Sequence, residues 1–158
     1  MDSLYNIKPD SVDDTLMIAG RLAKYLKPGN VITLEGDLGA GKTVFTQGLA
    51  KGLGINQIVN SPTFVIIKEY QGKMPLYHMD VYRLKEGIED LGFDEYFYGN
   101  GITVVEWAHI IKDYLPEEYL NIKIIKLDDN IRNIIFEPYG NKYLKIYEEF
   151  VNNENFSY

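Results

Sequence analysis

Eight consecutive residues have the types and spacing needed to bind phosphate groups. They are Gly36-Asp37-Leu38-Gly39-Ala40-Gly41-Lys42-Thr43, and they match the P-loop pattern G-x-x-x-x-G-K-S/T at every fixed position. The glycines let the backbone turn tightly, so that successive N–H groups point toward phosphate oxygens. Lys42 provides a positive charge for the β- and γ-phosphates of ATP, and the hydroxyl of Thr43 is a suitable ligand for Mg²⁺. This stretch predicts a nucleotide-binding loop in which Lys42 also takes part in catalysis.

The residues on either side of this loop have the patterns of a strand and a helix, which is the context that a P-loop requires. Val31-Ile32-Thr33-Leu34 is a short, β-branched, apolar run that follows the turn residues Pro28-Gly29-Asn30. From Thr43 to Leu53 the apolar residues recur at helical spacing, and Gly54 follows as a C-terminal cap. We therefore predict a strand–loop–helix unit, whose helix adds its positive N-terminal end to the anion site.

Two acidic residues, each at the end of an apolar run, are candidates for the metal side of this site. Asp80 ends a predicted strand that begins at Pro75, and Glu106 ends the run 101–105. In P-loop proteins a carboxylate at a strand end holds Mg²⁺ or positions the attacking water, and open α/β sheets bind ligands at such ends. The sequence leaves open which carboxylate has which role. For Asp80, an ion pair with Arg83 is the structural alternative.

Four further residues are candidates for the site from their neighbours alone. Trp107, the only tryptophan, follows the second carboxylate and either stacks near the nucleotide base or packs in the core. Ser11 has the character of a helix N-cap, and the start of its helix is a candidate neighbour of the base. Thr63 lies in Ser61-Pro62-Thr63, which favours a switch-like loop near the γ-phosphate or an ordinary turn. His78 shares a strand face with the first carboxylate.

The rest of the chain alternates strand and helix patterns without a linker that would divide it. The predicted elements outside the loop unit are an edge strand near 4–7, a helix over 11–27, a hairpin of strands 64–70 and 75–80, an acidic helical stretch over 84–99, strands 101–106, 119–125 and 131–139, and a helix over 141–151. The acidic stretch is either a solvated face or a docking surface. These elements predict one α/β domain over residues 1–151, a three-layer α/β/α arrangement with a mixed, partly antiparallel sheet. The tail 152–158 is expected to fray.

Composition limits the classes of partner. The chain of 158 residues has a formal net charge of −7 and only three arginines, whereas a protein that grips a nucleic-acid backbone alone usually has a basic surface. It has no cysteine and no apolar run near the roughly 20 residues of a membrane-spanning helix. Its first residues lack the pattern of a signal peptide. A cytoplasmic protein without disulfides, membrane contact or DNA is expected.

Four strings, in their order and spacing, resemble the TsaE (YjeE) family, the small bacterial ATPase of tRNA threonylcarbamoyladenosine biosynthesis. These strings are the P-loop, Ser61-Pro62-Thr63-Phe64, His78-Met79-Asp80-Val81-Tyr82-Arg83-Leu84 and Val105-Glu106-Trp107. The resemblance covers about residues 10–125, and Phe64 stands where many relatives have tyrosine. It implies that Lys42 and the loop amides hold ATP, with Thr43 and Glu106 at Mg²⁺. It also implies that Asp80 is a catalytic or metal-side carboxylate and that Thr63 belongs to the switch-like loop.

The resemblance further implies a weak ATPase that depends on partner proteins. In the family, TsaD and TsaB act with TsaC to place threonylcarbamoyl on the adenosine beside the anticodon of ANN-decoding tRNAs. ATP hydrolysis is thought to drive or reset turnover of that complex. The acidic charge of the chain agrees with contact to tRNA only through these partners.

Three other classes of protein are weaker interpretations. A GTPase would need N-K-x-D, but the nearest string is Asn141-Lys142-Tyr143-Leu144. A small-molecule kinase usually has several arginines around its second substrate, and three in the whole chain are few. A non-catalytic ATP-binding adaptor is the strongest rival, because no residue is a clear arginine finger.

Overall fold

A seven-stranded mixed sheet forms the frame of the computed structural model, which describes residues 5–62, 66–87, 91–154 and 156. The strands are β1 (Asn6–Ile7), β2 (Val31–Glu35), β3 (Ile67–Tyr70), β4 (Leu76–Asp80), β5 (Ile102–Glu106), β6 (Tyr119–Lys126) and β7 (Arg132–Tyr139). Their spatial order is β1-β7-β6-β2-β5-β4-β3. The four strands β6, β2, β5 and β4 run parallel to one another, whereas β3 pairs antiparallel with β4, β7 with β6, and β1 with β7.

Helices cover the two faces of the sheet unequally. The helices α1 (Val12–Ala23), α2 (Lys42–Gly52) and α4 (Asn141–Glu154) share one hydrophobic cluster with the sheet. The opposite cluster is closed by the short α3 (Phe93–Phe97) and by two 3₁₀ segments, Tyr82–Glu86 and Ala108–Tyr114. These layers confirm the predicted mixed α/β fold, with one layer thinner than the other.

The parallel strands bring three chain segments to one edge of the sheet. The central strand β2 is buried from Val31 to Leu34, as is usual for a parallel strand covered on both faces. In the pairing register, Leu34 of β2 and Asp80 of β4 both lie opposite Glu106 of β5. The carboxyl ends of β2, β4 and β5 therefore meet where the loop after β2 begins.

Close packing of α1 against α2 fixes the helix that follows this loop. A Cβ atom added to Gly48 of α2 would lie 2.6 Å from the carbonyl oxygen of Leu16 and 2.7 Å from the Cβ of Ala19. The two helices can approach this closely only because Gly48 has no side chain. The contact anchors α2 against the domain, and with it the N-terminal residues Lys42 and Thr43.

Most predicted elements are present, including the edge strand at Asn6–Ile7 and the β3–β4 hairpin. The single helix predicted over 84–99 is wrong, because Gly92 adopts a left-handed φ of 80° at the start of the short α3. The 3₁₀ segment over 108–114 was not predicted. Residues 63–65, which include the predicted start of β3, and 88–90 lie outside the described residues.

The C-terminal helix is longer than predicted. α4 continues to Glu154, past the predicted domain end at residue 151. The Tyr25 hydroxyl donates a hydrogen bond to the Glu154 carboxylate, which also pairs with Arg21 at 3.6 Å. Phe156 packs on Phe150 with ring centroids 5.2 Å apart. Of the predicted frayed tail, 152–154 are therefore helical.

Within the described residues, no helix is long and apolar enough to cross a membrane.

Candidate functional site

The loop between β2 and α2 has a backbone shape that suits an anion. Gly39 and Gly41 have φ values of +81° and +114°, which side-chain-bearing residues rarely adopt. The N–H of Ala40 donates to the carbonyl oxygen of Asp37 at 3.0 Å, which closes a tight turn. α2 starts at Lys42, so its N-terminal dipole faces the same space. The predicted strand–loop–helix unit is present.

The Lys42 ammonium group lies between a carboxylate and an aromatic ring. Its Nζ atom is 3.6 Å from Oε1 of Glu106 and 4.9 Å from the centre of the Trp107 ring. Both contacts are attractive for a positive charge. The structure thus brings together three of the residues singled out from the sequence.

His78 holds the second oxygen of the Glu106 carboxylate. His78 Nε2 lies 2.7 Å from Oε2 of Glu106, and both side chains are buried. Burial raises the pKa of Glu106, but the hydrogen bond and charge of His78 and the charge of Lys42 outweigh it, so that the pKa falls below its usual value. Glu106 therefore accepts the hydrogen bond as a carboxylate, and His78 donates it.

Asp80 stands beside Glu106 in a different environment. Its Oδ1 accepts a hydrogen bond from the Tyr82 N–H at 3.0 Å. Burial raises the pKa of Asp80, and the negative charge of Glu106 raises it further against the opposing effect of that hydrogen bond. The pKa values of the two neighbouring carboxyl groups consequently shift in opposite directions, downward for Glu106 and upward for Asp80.

Thr43 connects the loop to the segment after α2. Its Oγ1 lies 2.7 Å from Oγ of Ser61. Ser61 belongs to the segment for which the sequence left open a switch-like loop or an ordinary turn, and this contact brings the start of that segment to the P-loop. Thr63, the candidate residue of that loop, lies outside the described residues.

Trp107 has an unusual backbone conformation next to Glu106. Its φ of 64° is the only positive value among the non-glycine residues that the structure describes. Such strain in a bulky residue is frequent at functional sites. The ring packs against Tyr82, with centroids 4.9 Å apart, as well as over Lys42. Trp107 thus lies near the phosphate end of the loop, while its contact with the base stays a prediction.

A cavity of about 860 Å³ opens from the loop along the face of the sheet that carries Trp107. Its lining includes the candidate residues Asp37, Leu38, Ala40, Lys42 and Trp107. Glu106 and Asp80 are not among the lining residues.

Ser11 caps α1: its Oγ accepts the N–H of Asp14 at 3.0 Å. This confirms the predicted N-cap. Ser11 does not line the cavity described above, and its predicted contact with the base is untested by the structure.

Two contacts of the site could not be found from the sequence pattern. His78 was noted only as a neighbour of Asp80 on one strand, although its partner is Glu106 on the next strand. Arg132, at the start of β7, donates from Nε to the carbonyl oxygen of Ala40 at 2.7 Å. No local pattern marks Arg132, because 92 residues separate it from the loop.

The oxygen groups at the site fit Mg²⁺. This ion prefers hard oxygen ligands, is held by one or two carboxylates and phosphates, and keeps several waters. Thr43 Oγ1 and the carboxylates of Asp80 and Glu106 supply such oxygens. Among the residues that the structure describes, no group of three or more His, Cys, Asp or Glu side chains could hold a metal by itself. The arrangement suits a cation that arrives with a nucleotide.

Comparison with known proteins agrees with these features. The sequence model of the family described as "Threonylcarbamoyl adenosine biosynthesis protein TsaE" matches residues 9–134. A Bacillus subtilis (strain 168) protein named tRNA threonylcarbamoyladenosine biosynthesis protein TsaE is 56% identical over 146 residues, which is 92% of each chain. A Treponema pallidum (strain Nichols) protein of the same name is 43% identical over 126 residues, covering 78% of this chain and 93% of its own length.

A solved structure shows the same fold. The crystal structure of Bacillus subtilis YdiB matches with a TM-score of 0.84 and 49% sequence identity, covering 95% of both chains. The family match spans the P-loop, both carboxylates and Arg132, and it confirms the resemblance drawn from the motifs. The chain belongs to the TsaE family of tRNA threonylcarbamoyladenosine biosynthesis proteins.

Proposed function

We propose that the protein is a Mg²⁺-dependent P-loop ATPase required for tRNA threonylcarbamoyladenosine modification. The observation that carries the proposal is the position of Lys42, at the end of the glycine loop and 3.6 Å from the buried carboxylate of Glu106. A phosphate-binding lysine beside an ionised carboxylate at the ends of parallel strands is the arrangement that phosphoryl transfer needs.

In this proposal, Lys42 exchanges one anionic partner for another. In the absence of ATP, the Glu106 carboxylate balances the positive charge of the ammonium group. The γ-phosphate of ATP offers more negative charge and would compete for the same Nζ atom. The N–H groups of the loop and of the first turn of α2 would hold the remaining phosphate oxygens. The affinity for ATP therefore depends on Lys42 and on the shape of the loop.

The two carboxylates receive separate roles. Glu106 is fixed by His78, ionised and next to Lys42, so we assign it to the γ-phosphate end, where it would orient the attacking water. The described hydrogen bond of the Asp80 carboxylate comes from the Tyr82 N–H to Oδ1, so we assign this carboxylate to the metal side with the hydroxyl of Thr43. When bound, Mg²⁺ would neutralise developing charge on the phosphates.

Partner proteins belong to the same proposal. The motif resemblance implies TsaB and TsaD as partners, with tRNA contacted through them, and the net charge of −7 agrees with that division. ATP hydrolysis would drive or reset turnover of the modifying complex. The protein would act in the cytoplasm and would hydrolyse ATP slowly when alone.

The test is phosphate release from ATP by the purified chain, alone and with TsaB and TsaD from the same source. We expect a low rate that rises with the partners and is lost in Lys42→Ala. Glu106→Gln should lose hydrolysis but keep nucleotide binding, whereas Asp80→Asn should raise the Mg²⁺ concentration needed for activity.

Two outcomes would contradict the proposal. Nucleotide binding without hydrolysis, with or without partners, would indicate a non-catalytic adaptor. Phosphate transfer that appears only with an added small-molecule acceptor would indicate a kinase.

A further inference from the structure

The guanidinium group of Arg132 joins two parts of the chain that are distant in sequence. Its Nε donates to the carbonyl oxygen of Ala40 in the P-loop at 2.7 Å. The two hydrogens of one terminal nitrogen are shared among the carbonyl oxygens of Asp128, Asp129 and Ile131, which lie 2.8, 3.1 and 3.2 Å from that nitrogen. These three residues belong to the turn 127–131 between β6 and β7. A single side chain therefore fixes this turn to the loop.

The carbonyl group of Ala40 needs such a partner. A loop that points its N–H groups at an anion must turn carbonyl groups the other way. Ala40 is buried, with 2% of its surface exposed, and a buried carbonyl without a hydrogen bond is costly. Its neighbours Gly39 and Gly41 both allow the backbone to rotate. The hydrogen bond from Arg132 removes that freedom.

The same contact acts on the Gly41 N–H group, which would face a bound phosphate. The carbonyl of Ala40 and the N–H of Gly41 belong to one peptide unit, with the N–H on the side opposite Arg132. The positive charge of the guanidinium group beside the carbonyl oxygen polarises this unit and strengthens the N–H as a donor. Arginine suits the position because its planar group has several donors in a fixed geometry, and here they reach both the loop and the turn.

We infer that Arg132 is a positioning residue for nucleotide binding: it holds and polarises the Ala40–Gly41 peptide of the P-loop. The inference rests on the proposed nucleotide-binding function and assigns to that site a residue from the C-terminal third of the chain. Arg132 contacts none of the reacting groups. Its effect is therefore expected on nucleotide affinity and on the KM for ATP, with kcat at saturating ATP left within about twofold.

The experiment measures the dissociation constant for MgADP by calorimetry, which requires no hydrolysis. Arg132→Met should weaken binding about tenfold, since a hydrogen bond from a charged group is lost. The dissociation constant of Arg132→Lys should lie between those of Arg132→Met and the unmodified chain. An ammonium group reaches the loop or the turn, but it lacks the planar arrangement of donors that arginine has. Arg21→Met is the matched control: Arg21 pairs with Glu154 on the C-terminal helix, and its variant should bind MgADP as the unmodified chain does.

Thermal unfolding without nucleotide separates this role from a purely structural one. A structural clamp alone would lower the unfolding midpoint of Arg132→Met but leave the MgADP dissociation constant, measured well below that midpoint, unchanged. An unchanged constant overturns the inference. If Arg132→Met does not fold, unchanged binding in both Arg132→Lys and Arg132→Gln overturns it in the same way. Absence of MgADP binding by the unmodified chain would overturn the proposed function itself, and the inference with it.

Discussion

Replacement of His78 by phenylalanine removes the hydrogen-bond donor that holds Glu106. His78 is fully buried, and among the described residues its Nδ1 has no hydrogen-bond partner. Among the described residues, the imidazole ring of His78 thus has one hydrogen bond, from Nε2 to Oε2 of Glu106 at 2.7 Å. Phenylalanine keeps an aromatic ring at this position but cannot donate a hydrogen bond, and its larger ring adds a packing cost in the buried site.

The magnitude follows from the burial of the acceptor. Glu106 has 4% of its surface exposed, and the loss of a hydrogen bond to a buried charged group costs about 1.5–3 kcal/mol. Because Lys42 still faces the other carboxylate oxygen, at 3.6 Å, we expect the free energy of unfolding to fall by about 2 kcal/mol. In a domain of this length, that lowers the melting temperature by roughly 4–8 °C.

The rate of ATP hydrolysis by His78→Phe should also fall, because Glu106 is no longer held in position. A misplaced catalytic group can cost on the order of a hundredfold, so we expect kcat for ATP to fall between about tenfold and a hundredfold. The affinity for MgADP should change little, since the loop is intact. His78→Gln, whose amide N–H reaches about as far as Nε2, should restore most of kcat, whereas the shorter His78→Asn should not.

Denaturant unfolding and steady-state hydrolysis of the three variants check this reasoning. If His78→Phe unfolds and hydrolyses ATP as the unmodified chain does, then His78 does not hold Glu106 in a functional position. Equal defects in His78→Gln and His78→Asn would also refute the role of the donor.

Two further predictions concern the fold that positions the site. Gly48→Ala should lower the free energy of unfolding by about 1–3 kcal/mol, because its Cβ would meet backbone atoms of α1. Gly20→Ala should be neutral or stabilising, because a Cβ at Gly20 would lie 3.4 Å from the carbonyl oxygen of Gly48, an ordinary contact distance. Equal losses of stability in the two variants would contradict the packing argument. Tyr143→Phe should cost about 1–3 kcal/mol, because the buried N–H of Val31 donates to the Tyr143 hydroxyl at 2.8 Å. The exposed Tyr139→Phe is its control, and denaturant unfolding measures all four variants.

Local patterns predicted the parts of the site that are contiguous in sequence. The loop, its flanking strand and helix, and the N-cap Ser11 follow from glycine, apolar and capping signals within a few residues. Asp80 and Glu106 were found because each ends an apolar run, and the parallel pairing of β4 with β5 then places them side by side.

Contacts across the sheet could not be predicted in this way. The bond from His78 to Glu106 depends on the register of β4 against β5, and the bond from Arg132 to Ala40 depends on the position of the β6–β7 turn beside β2. The helix predicted over 84–99 failed for a local reason. Its apolar spacing is helical, but Gly92 interrupts it with a left-handed backbone.

The most direct test of the account is the number of modification cycles completed by the assembled system. TsaB, TsaC and TsaD are combined with tRNA and ATP, together with either the unmodified chain or Lys42→Ala, and threonylcarbamoyladenosine is counted per complex. We predict repeated cycles with the unmodified chain and arrest after the first cycle with Lys42→Ala. Equal numbers of cycles with both proteins would contradict the claim that ATP hydrolysis at this P-loop drives or resets the complex.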